Sequence, residues 1–310
     1  MRILGCCPVW NDSPLDALWV ELARRHDMTW AGKGREIPPE GGVLLGPDED
    51  DYFDLILMAD PARPDSSWWE VRGFAGVRAS VWLDSWNVNE PSPSGYIAWA
   101  RKQRLDLLYL RVEQDVARIQ EWLPDTKVCW LPFGFDPGVF HDKGLPRDMD
   151  VAMFGHFSHH YPVRHKAREI LREHFGEAFY DFTIPGDVHP TVTGHEYATL
   201  LNRCKVVVNT SGVVEIGDRT YRPANQKYLE IPACRAAMVC TDADSFGLEV
   251  ARFKDDCESL PGIVETLLND ERLRRGSAAY AYSSVHAHCT VARSADRVED
   301  DVRVLQEGRR

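Results

Sequence analysis

The sequence predicts an α/β protein built from two doubly wound parallel-sheet domains that face each other across a cleft. Two observations predict it. Short apolar runs alternate with amphipathic helical patterns along most of the chain, the signature of βα units. The 310 residues are also about twice the roughly 150-residue prior for one domain, and a Pro/Gly-dense stretch divides them near the middle.

The first strand is the run Arg2-Ile3-Leu4-Gly5-Cys6-Cys7. A turn at Asn11-Asp12-Ser13-Pro14 opens a helix in which Leu15, Leu18, Trp19 and Leu22 share one face. Further strands are predicted at 55–60, 79–84, 105–110 and 127–131, with a helix around 113–122. The strands at 55–60 and 79–84 end in the carboxylates Asp60 and Asp84. The stretch Leu131-Pro132-Phe133-Gly134-Phe135-Asp136-Pro137-Gly138 and the charged residues after it read as a linker.

A second α/β series follows: strand 150–154, Gly155, a polar loop and a helix from Pro162 to Phe175 closed by Gly176. Next come a helix at 195–203, a strand at 205–209, a loop to Tyr221, a helix opening at Pro223, a strand at 237–241 and C-terminal helices, one near 261–269. The expected domains are 1–133 and 150–290, joined by a linker at 134–149. A C-terminal helix at 291–310 is expected to pack back on the first domain.

Hydrophobic residues make up 44% of the chain and charged residues 27%, close to globular averages, so a proper core is expected. A net charge of −12 argues against a protein whose main task is to coat nucleic acid or anionic lipid. No run approaches the roughly 18 apolar residues of a membrane span. The apolar run at the N-terminus is too short for a secretory leader, and a cytoplasmic location is expected. Eight scattered cysteines without a CxxC pair read as reduced, buried thiols.

In open parallel sheets, ligands sit at the carboxyl ends of the strands. Gly155 precedes a helix whose first turn carries Arg164, His165 and Lys166. Cations at a helix N-terminus are mildly unfavourable alone, and an anion such as phosphate resolves the conflict; solvated side chains are the plainer alternative. Arg219, Arg222 and Lys227 surround the next helix start, with Glu230 beyond. Cations of this kind suit a diphosphate and the carboxylate suits ribose hydroxyls, although Lys227 and Glu230 also fit an ordinary surface ion pair. The loop Asn209-Thr210-Ser211-Gly212 after strand 205–209 offers small hydroxyl and amide groups that can bind phosphate or sugar hydroxyls, although such residues populate any turn.

The second half resembles the nucleotide-sugar domain of two-domain GT-B glycosyltransferases, and most resembles the CgeB-like (spore maturation protein-like) group among glycosyltransferase group 1-like families. The matching stretches are Leu131-Pro132-Phe133-Gly134-Phe135-Asp136, Asp150-Val151-Ala152-Met153-Phe154-Gly155 with Arg164, Tyr197 to Asn209, and Lys227-Tyr228-Leu229-Glu230. The tail from Leu267 through His288 and Arg293 continues the match. The resemblance implies that Glu230 holds the donor ribose and that Gly155 and Arg164 lie by the diphosphate. Two departures stand out. Lys227 replaces the family's usual Arg, and Arg235 stands where a helix-ending Gly is usual, so the helix is expected to end differently and Arg235 to approach the donor.

The expected reaction is transfer of a sugar from a nucleotide-diphosphate sugar to an unidentified acceptor. No metal and no cofactor beyond that donor substrate is expected, with the leaving group stabilised by Arg164, Arg222, Lys227 and helix N-termini. Asp242-Ala243-Asp244 has the spelling of a metal motif but reads as a hydrophilic loop. Asp84 and Asp12 are the candidates for a general base, each equally able to cap a helix or turn. Trp68, Trp69, Trp82 and Trp86 are a candidate stacking floor, or ordinary core. His156, His159, His160 and His165 suggest donor contact above metal binding, on a par with a solvated loop. The alternative function is a non-catalytic two-domain nucleotide or sugar binder.

Overall fold

A run of βα units in a single chain can close its sheets only by burying both faces under helices, and the chain does so twice. The structure, a computed structural model, describes residues 1–6, 14–31, 43–45, 52–59, 70–72, 75–82, 95–157, 161–185, 194–212, 214–216, 219–222, 224–242 and 248–309. One unit comprises Met1–Phe133 and Val291–Arg310, the other Gly134–Thr290.

The first unit runs β1 (Arg2–Cys6), α1 (Pro14–Arg25), β2 (Asp27–Ala31), β3 (Val43–Leu45), β4 (Tyr52–Ala59), β5 (Glu70–Arg72), β6 (Ala75–Trp82), α2 (Tyr96–Gln103), β7 (Leu107–Leu110), α3 (Val116–Trp122) and β8 (Lys127–Trp130). Six strands form a parallel sheet in the order β2-β1-β4-β6-β7-β8, and β3 pairs with β5. On one face Leu18, Trp19 and Leu22 of α1 cover Ile3, Leu57, Val81 and Tyr109. On the other, Ile97 and Ala100 of α2 and Ile119 of α3 cover Ile56, Leu108 and Leu110. Trp82 is fully buried there, edge-on to Tyr96 at 5.2 Å, so it is core and not a stacking surface.

The second unit runs β9 (Met149–Phe157), α4 (Pro162–Phe175), β10 (Phe179–Pro185), α5 (Gly194–Arg203), β11 (Cys204–Asn209), β12 (Val214–Ile216), β13 (Arg219–Tyr221), α6 (Lys227–Ala233), β14 (Ala237–Thr241), β15 (Ala251–Phe253), α7 (Leu260–Asn269) and α8 (Glu271–His288). Its sheet is parallel, in the order β10-β9-β11-β14-β15, while β12 and β13 form an antiparallel pair. Val163, Ala167 and Leu171, at helical spacings of four, bury one face of α4 against Val151, Met153 and Val206.

The chain then returns to the first unit as α9 (Val291–Gly308), whose Val291, Ala295, Val298 and Val302 enter the core beside α1. Asp301 of α9, its side chain 7% exposed, accepts hydrogen bonds from Tyr109 Oη (3.3 Å), Lys127 Nζ (2.7 Å) and Arg297 Nε (2.9 Å). Because Lys127 and Arg297 keep access to water, Asp301→Asn is expected to cost about 1–2 kcal/mol. Urea denaturation of the variant, with an unchanged slope, is the check.

Several sequence expectations shift. The helix expected to open at Pro223 begins at Lys227, whose backbone N–H donates to the Asn225 side chain at 3.1 Å. Arg235 adopts the left-handed conformation (φ 57°) that a side chain was expected to avoid, and its N–H closes the helix on Pro232 O at 2.7 Å. Its guanidinium turns to Asp142 (3.2 Å) and lies over the Tyr282 ring (5.8 Å), so its recorded partners are not those of the candidate donor residues. The segment expected as a loop to Tyr221 contains the β12–β13 pair. The strand expected to reach Asp84 is described as far as Trp82, and Asp84, Asp12, Trp68, Trp69 and Trp86 lie outside the described residues. The described cysteines are all free and buried. No helix among the described residues is long and apolar enough to cross a membrane.

Candidate active site

The strand order of the second unit reverses between β9 and β11: the chain passes from β9 to β10 on one side, then crosses to β11 on the other. At such a switch point the loops after the two strands diverge and leave a crevice at their carboxyl ends. Gly155 and His156 close β9 there, and Asn209, Thr210 and Ser211 follow β11.

Arg164, in the first turn of α4, ties these two strand ends together. Its Nε donates to Thr210 Oγ1 at 3.0 Å, Nη2 to Thr210 O at 3.2 Å, and Nη1 to His156 O. The Tyr161 ring lies 4.3 Å beneath the guanidinium. Arg164 is buried, 4% exposed, and among the described residues no carboxylate pairs with it. Burial lowers its pKa from the ordinary arginine value.

Gly155 has φ +114°, and a Cβ there would meet Lys227 Cε at 3.1 Å, Lys227 Nζ at 3.2 Å and Arg164 Nη1 at 3.5 Å. The glycine therefore meets a backbone demand and a spatial one. It also locates the two cations: both crowd the same backbone face. Burial and then the Arg164 charge lower the Lys227 ammonium, with Glu230 opposing. Among the described residues Lys227 Nζ has no hydrogen-bond or ion-pair partner.

Glu230, one turn along α6, is 8% exposed and its carboxylate likewise has no hydrogen-bond partner among the described residues. Burial pushes its carboxyl up to about 7, outweighing the stabilising Lys227 ammonium. The sheet end thus holds two neighbouring cations without an anion and one carboxylate without a donor. Such groups bind a ligand with negative charge at one part and hydroxyls at another.

The remaining predicted residues are placed as follows. Asn209 is buried and exchanges hydrogen bonds with Asn225 at 3.3 and 3.5 Å. Ser211 is buried, its N–H on Thr241 Oγ1 at 2.8 Å and its hydroxyl on Asp242 O at 3.2 Å. Both shape the floor of the strand ends. Arg222 is bidentate on Asp255, at 2.9 and 2.5 Å, so its charge is matched within the protein. Asp242 is exposed and pairs with Arg252 at 2.7 Å. His156 lies at the site with Nδ1 buried and unpartnered, while His159 and His160 lie outside the described residues. Among the described residues no three His, Cys, Asp or Glu side chains come together to hold a metal.

Thr210, read from sequence as part of a polar loop, is the partner of two Arg164 nitrogens, a pairing the sequence did not show, nor did it show the part played by Tyr197. The Tyr197 hydroxyl is buried without a hydrogen-bond partner, and its ring packs edge-on to Phe154 (5.1 Å) and Phe140 (6.0 Å). A tyrosine four residues before Leu201 reads from sequence only as another face-forming residue of α5.

Residues 163–300 match the family model described as glycosyl transferase-like. Comparison with curated proteins gives no match. Among solved structures, an E. coli protein described as trehalose-6-phosphate bound with UDP-2-fluoro glucose superposes with a TM-score of 0.68 at 11% identity, covering 97% of this chain and 99% of that one. Anabaena HepE in complex with UDP-glucose gives a TM-score of 0.60 at 10% identity, over 98% of this chain and 100% of that one. AviGT4, a glycosyltransferase involved in avilamycin A biosynthesis, gives 0.57 at 11% identity, over 99% and 98%. Similarity at these identities speaks to the fold, and the family match lies on the unit that holds the site. Residues 163–300 are similar to the glycosyl transferase-like family, and the chain has the two-sheet α/β fold of GT-B glycosyltransferases.

Proposed function

We propose that the protein transfers a sugar from a nucleoside-diphosphate sugar to an acceptor held by the first unit, without a metal ion. The observation that carries this reading is the pair of cations, Arg164 and Lys227, gathered on Gly155 at the switch point, neither of them ion-paired to a carboxylate among the described residues. In the proposed complex the diphosphate lies against these two side chains and the first turn of α4, and the ribose hydroxyls donate to Glu230. Arg222, committed to Asp255, does not carry the diphosphate in this reading.

As the glycosidic bond breaks, negative charge grows on the diphosphate while the sugar becomes oxocarbenium-like. Arg164 is already fixed by its bonds to His156 and Thr210, so it meets that charge without reorganising. Lys227, half-buried and disfavoured as a cation by burial and by the Arg164 charge, regains its ordinary preference for the charged form beside the phosphates. The acceptor proton passes to a base of the first unit, for which Asp84 and Asp12 are the proposed candidates.

The test is a thermal-shift screen of the protein against nucleoside mono- and diphosphates. A diphosphate at one hundred times its dissociation constant is expected to add about 2.7 kcal/mol of stability, and the corresponding monophosphate clearly less. No response to any nucleoside diphosphate overturns the reading. A response without transfer from any matching nucleotide sugar favours a binding protein over an enzyme.

A further inference from the structure

Two buried polar groups of the second unit lack partners and are chemically complementary. One is the Tyr197 hydroxyl on α5, a donor with no acceptor among the described residues. The other is the Glu230 carboxylate on α6, an acceptor with no donor among the described residues. A buried phenol that makes no hydrogen bond is costlier than the phenylalanine that would pack equally well between Phe154 and Phe140. Packing alone therefore leaves the oxygen unexplained. The ring is held edge-on to Phe154, next in sequence to Gly155, on whose face Lys227 and Arg164 converge. Of the charges that act on the Tyr197 hydroxyl, Glu230 has the largest effect.

We propose that Tyr197 is a positioning residue for Glu230: its O–H donates to the carboxylate when Glu230 is ionised, and holds it toward the donor's ribose hydroxyls. Burial by itself favours the protonated carboxyl, which needs no second donor. When a nucleotide arrives, its hydroxyls favour the anion, and the tyrosine supplies a hydrogen bond from the protein side. The hydroxyl atom is itself shielded from solvent, so it acts through the carboxylate and not on the ligand directly. The other charged or titratable groups acting on the pair are Lys227 on α6, Cys234 directly after it, Arg164 on α4 and Cys204 at the start of β11. Of these, Lys227 and Arg164 favour charged oxygen and the two thiols remain protonated.

The proposal rests on the donor-site reading above, and its test separates the two. Nucleoside-diphosphate affinity is measured from pH 5.5 to 8.5 for the full chain, for Tyr197→Phe, for Glu230→Gln and for the double variant. Tyr197→Phe is expected to fold with unchanged or higher stability, to bind about fivefold to tenfold more weakly at pH 8, and to move the midpoint of the affinity profile up by about one pH unit. In the Glu230→Gln background the same change is expected to have no further effect. 3-Fluorotyrosine at position 197, a stronger donor of nearly the same shape, is expected to move the midpoint down, and it serves if the phenylalanine variant does not fold. A wild-type profile for Tyr197→Phe, or an equal loss in both backgrounds, overturns the proposal. Absence of nucleotide binding by the wild type instead removes the donor site on which it stands.

Discussion

Glu230→Gln is expected to make the ligand-free protein more stable at pH 8 while it removes most of the stabilisation that a nucleoside diphosphate confers. The first half follows from linkage. The folded chain holds the Glu230 carboxyl at about 7, above the ordinary value of 4.5, so between these values the folded state binds more protons than the unfolded one. The stability contributed by protonated Glu230 is complete below about 4.5 and is lost as the pH rises through about 7. At pH 8 the wild type bears the cost of a buried anion, on the order of 3 kcal/mol at 1.36 kcal/mol for each tenfold change in proton affinity. An amide bears none of it. Urea denaturation monitored on the second unit should show the variant ahead at pH 8 and level with the wild type near pH 4.5. The second half follows from chemistry: an amide is a weaker acceptor for ribose hydroxyls than a carboxylate. A residue whose removal stabilises the fold and weakens binding is retained for the ligand.

Arg164→Ala is expected to lower both stability and binding. Three acceptors, Thr210 Oγ1, Thr210 O and His156 O, lose their buried donors, and a cavity opens over the Tyr161 ring. The cost should be about 3 kcal/mol, reduced slightly by relief of the repulsion on Lys227. The diphosphate loses its fixed cation, and the ligand-induced thermal shift should vanish. Arg164→Lys separates the two roles. It keeps the charge but cannot span the ends of β9 and β11 from one nitrogen, so affinity should fall by about tenfold to a hundredfold while part of the shift remains. Equal shifts for wild type, Lys and Ala variants would place the ligand elsewhere.

Much of this arrangement is legible in the residues. Apolar strands such as Val151–Met153 and Val206–Val208 are buried on both faces and read as continuous hydrophobic runs. Arg164 and Lys227 could be named because cations are disfavoured at a helix start without an anion, and Gly155 and Glu230 because they stand beside those cations and match the family resemblance. Edge strands were harder. In β10, Asp181 pairs with Arg168 (2.7 Å) and Arg172 (2.6 Å), so polar residues interrupt the pattern that marks an interior strand. Pairings decided by tertiary geometry were not legible at all. Arg222 directly follows β13 as Arg164 sits near β9, yet Asp255 neutralises the first and, among the described residues, no carboxylate pairs with the second. Arg235 shows the same limit for backbone: its left-handed conformation is a local cost that packing and the turn back to Ile231 O outweigh.

The most direct measurement is a crystal structure of the protein with a bound nucleoside diphosphate. The account predicts phosphate oxygens within hydrogen-bond distance of Arg164 and Lys227, beside the Gly155 backbone, and the ribose hydroxyls on Glu230. A diphosphate bound away from Gly155, with Lys227 still lacking an anion, would contradict it.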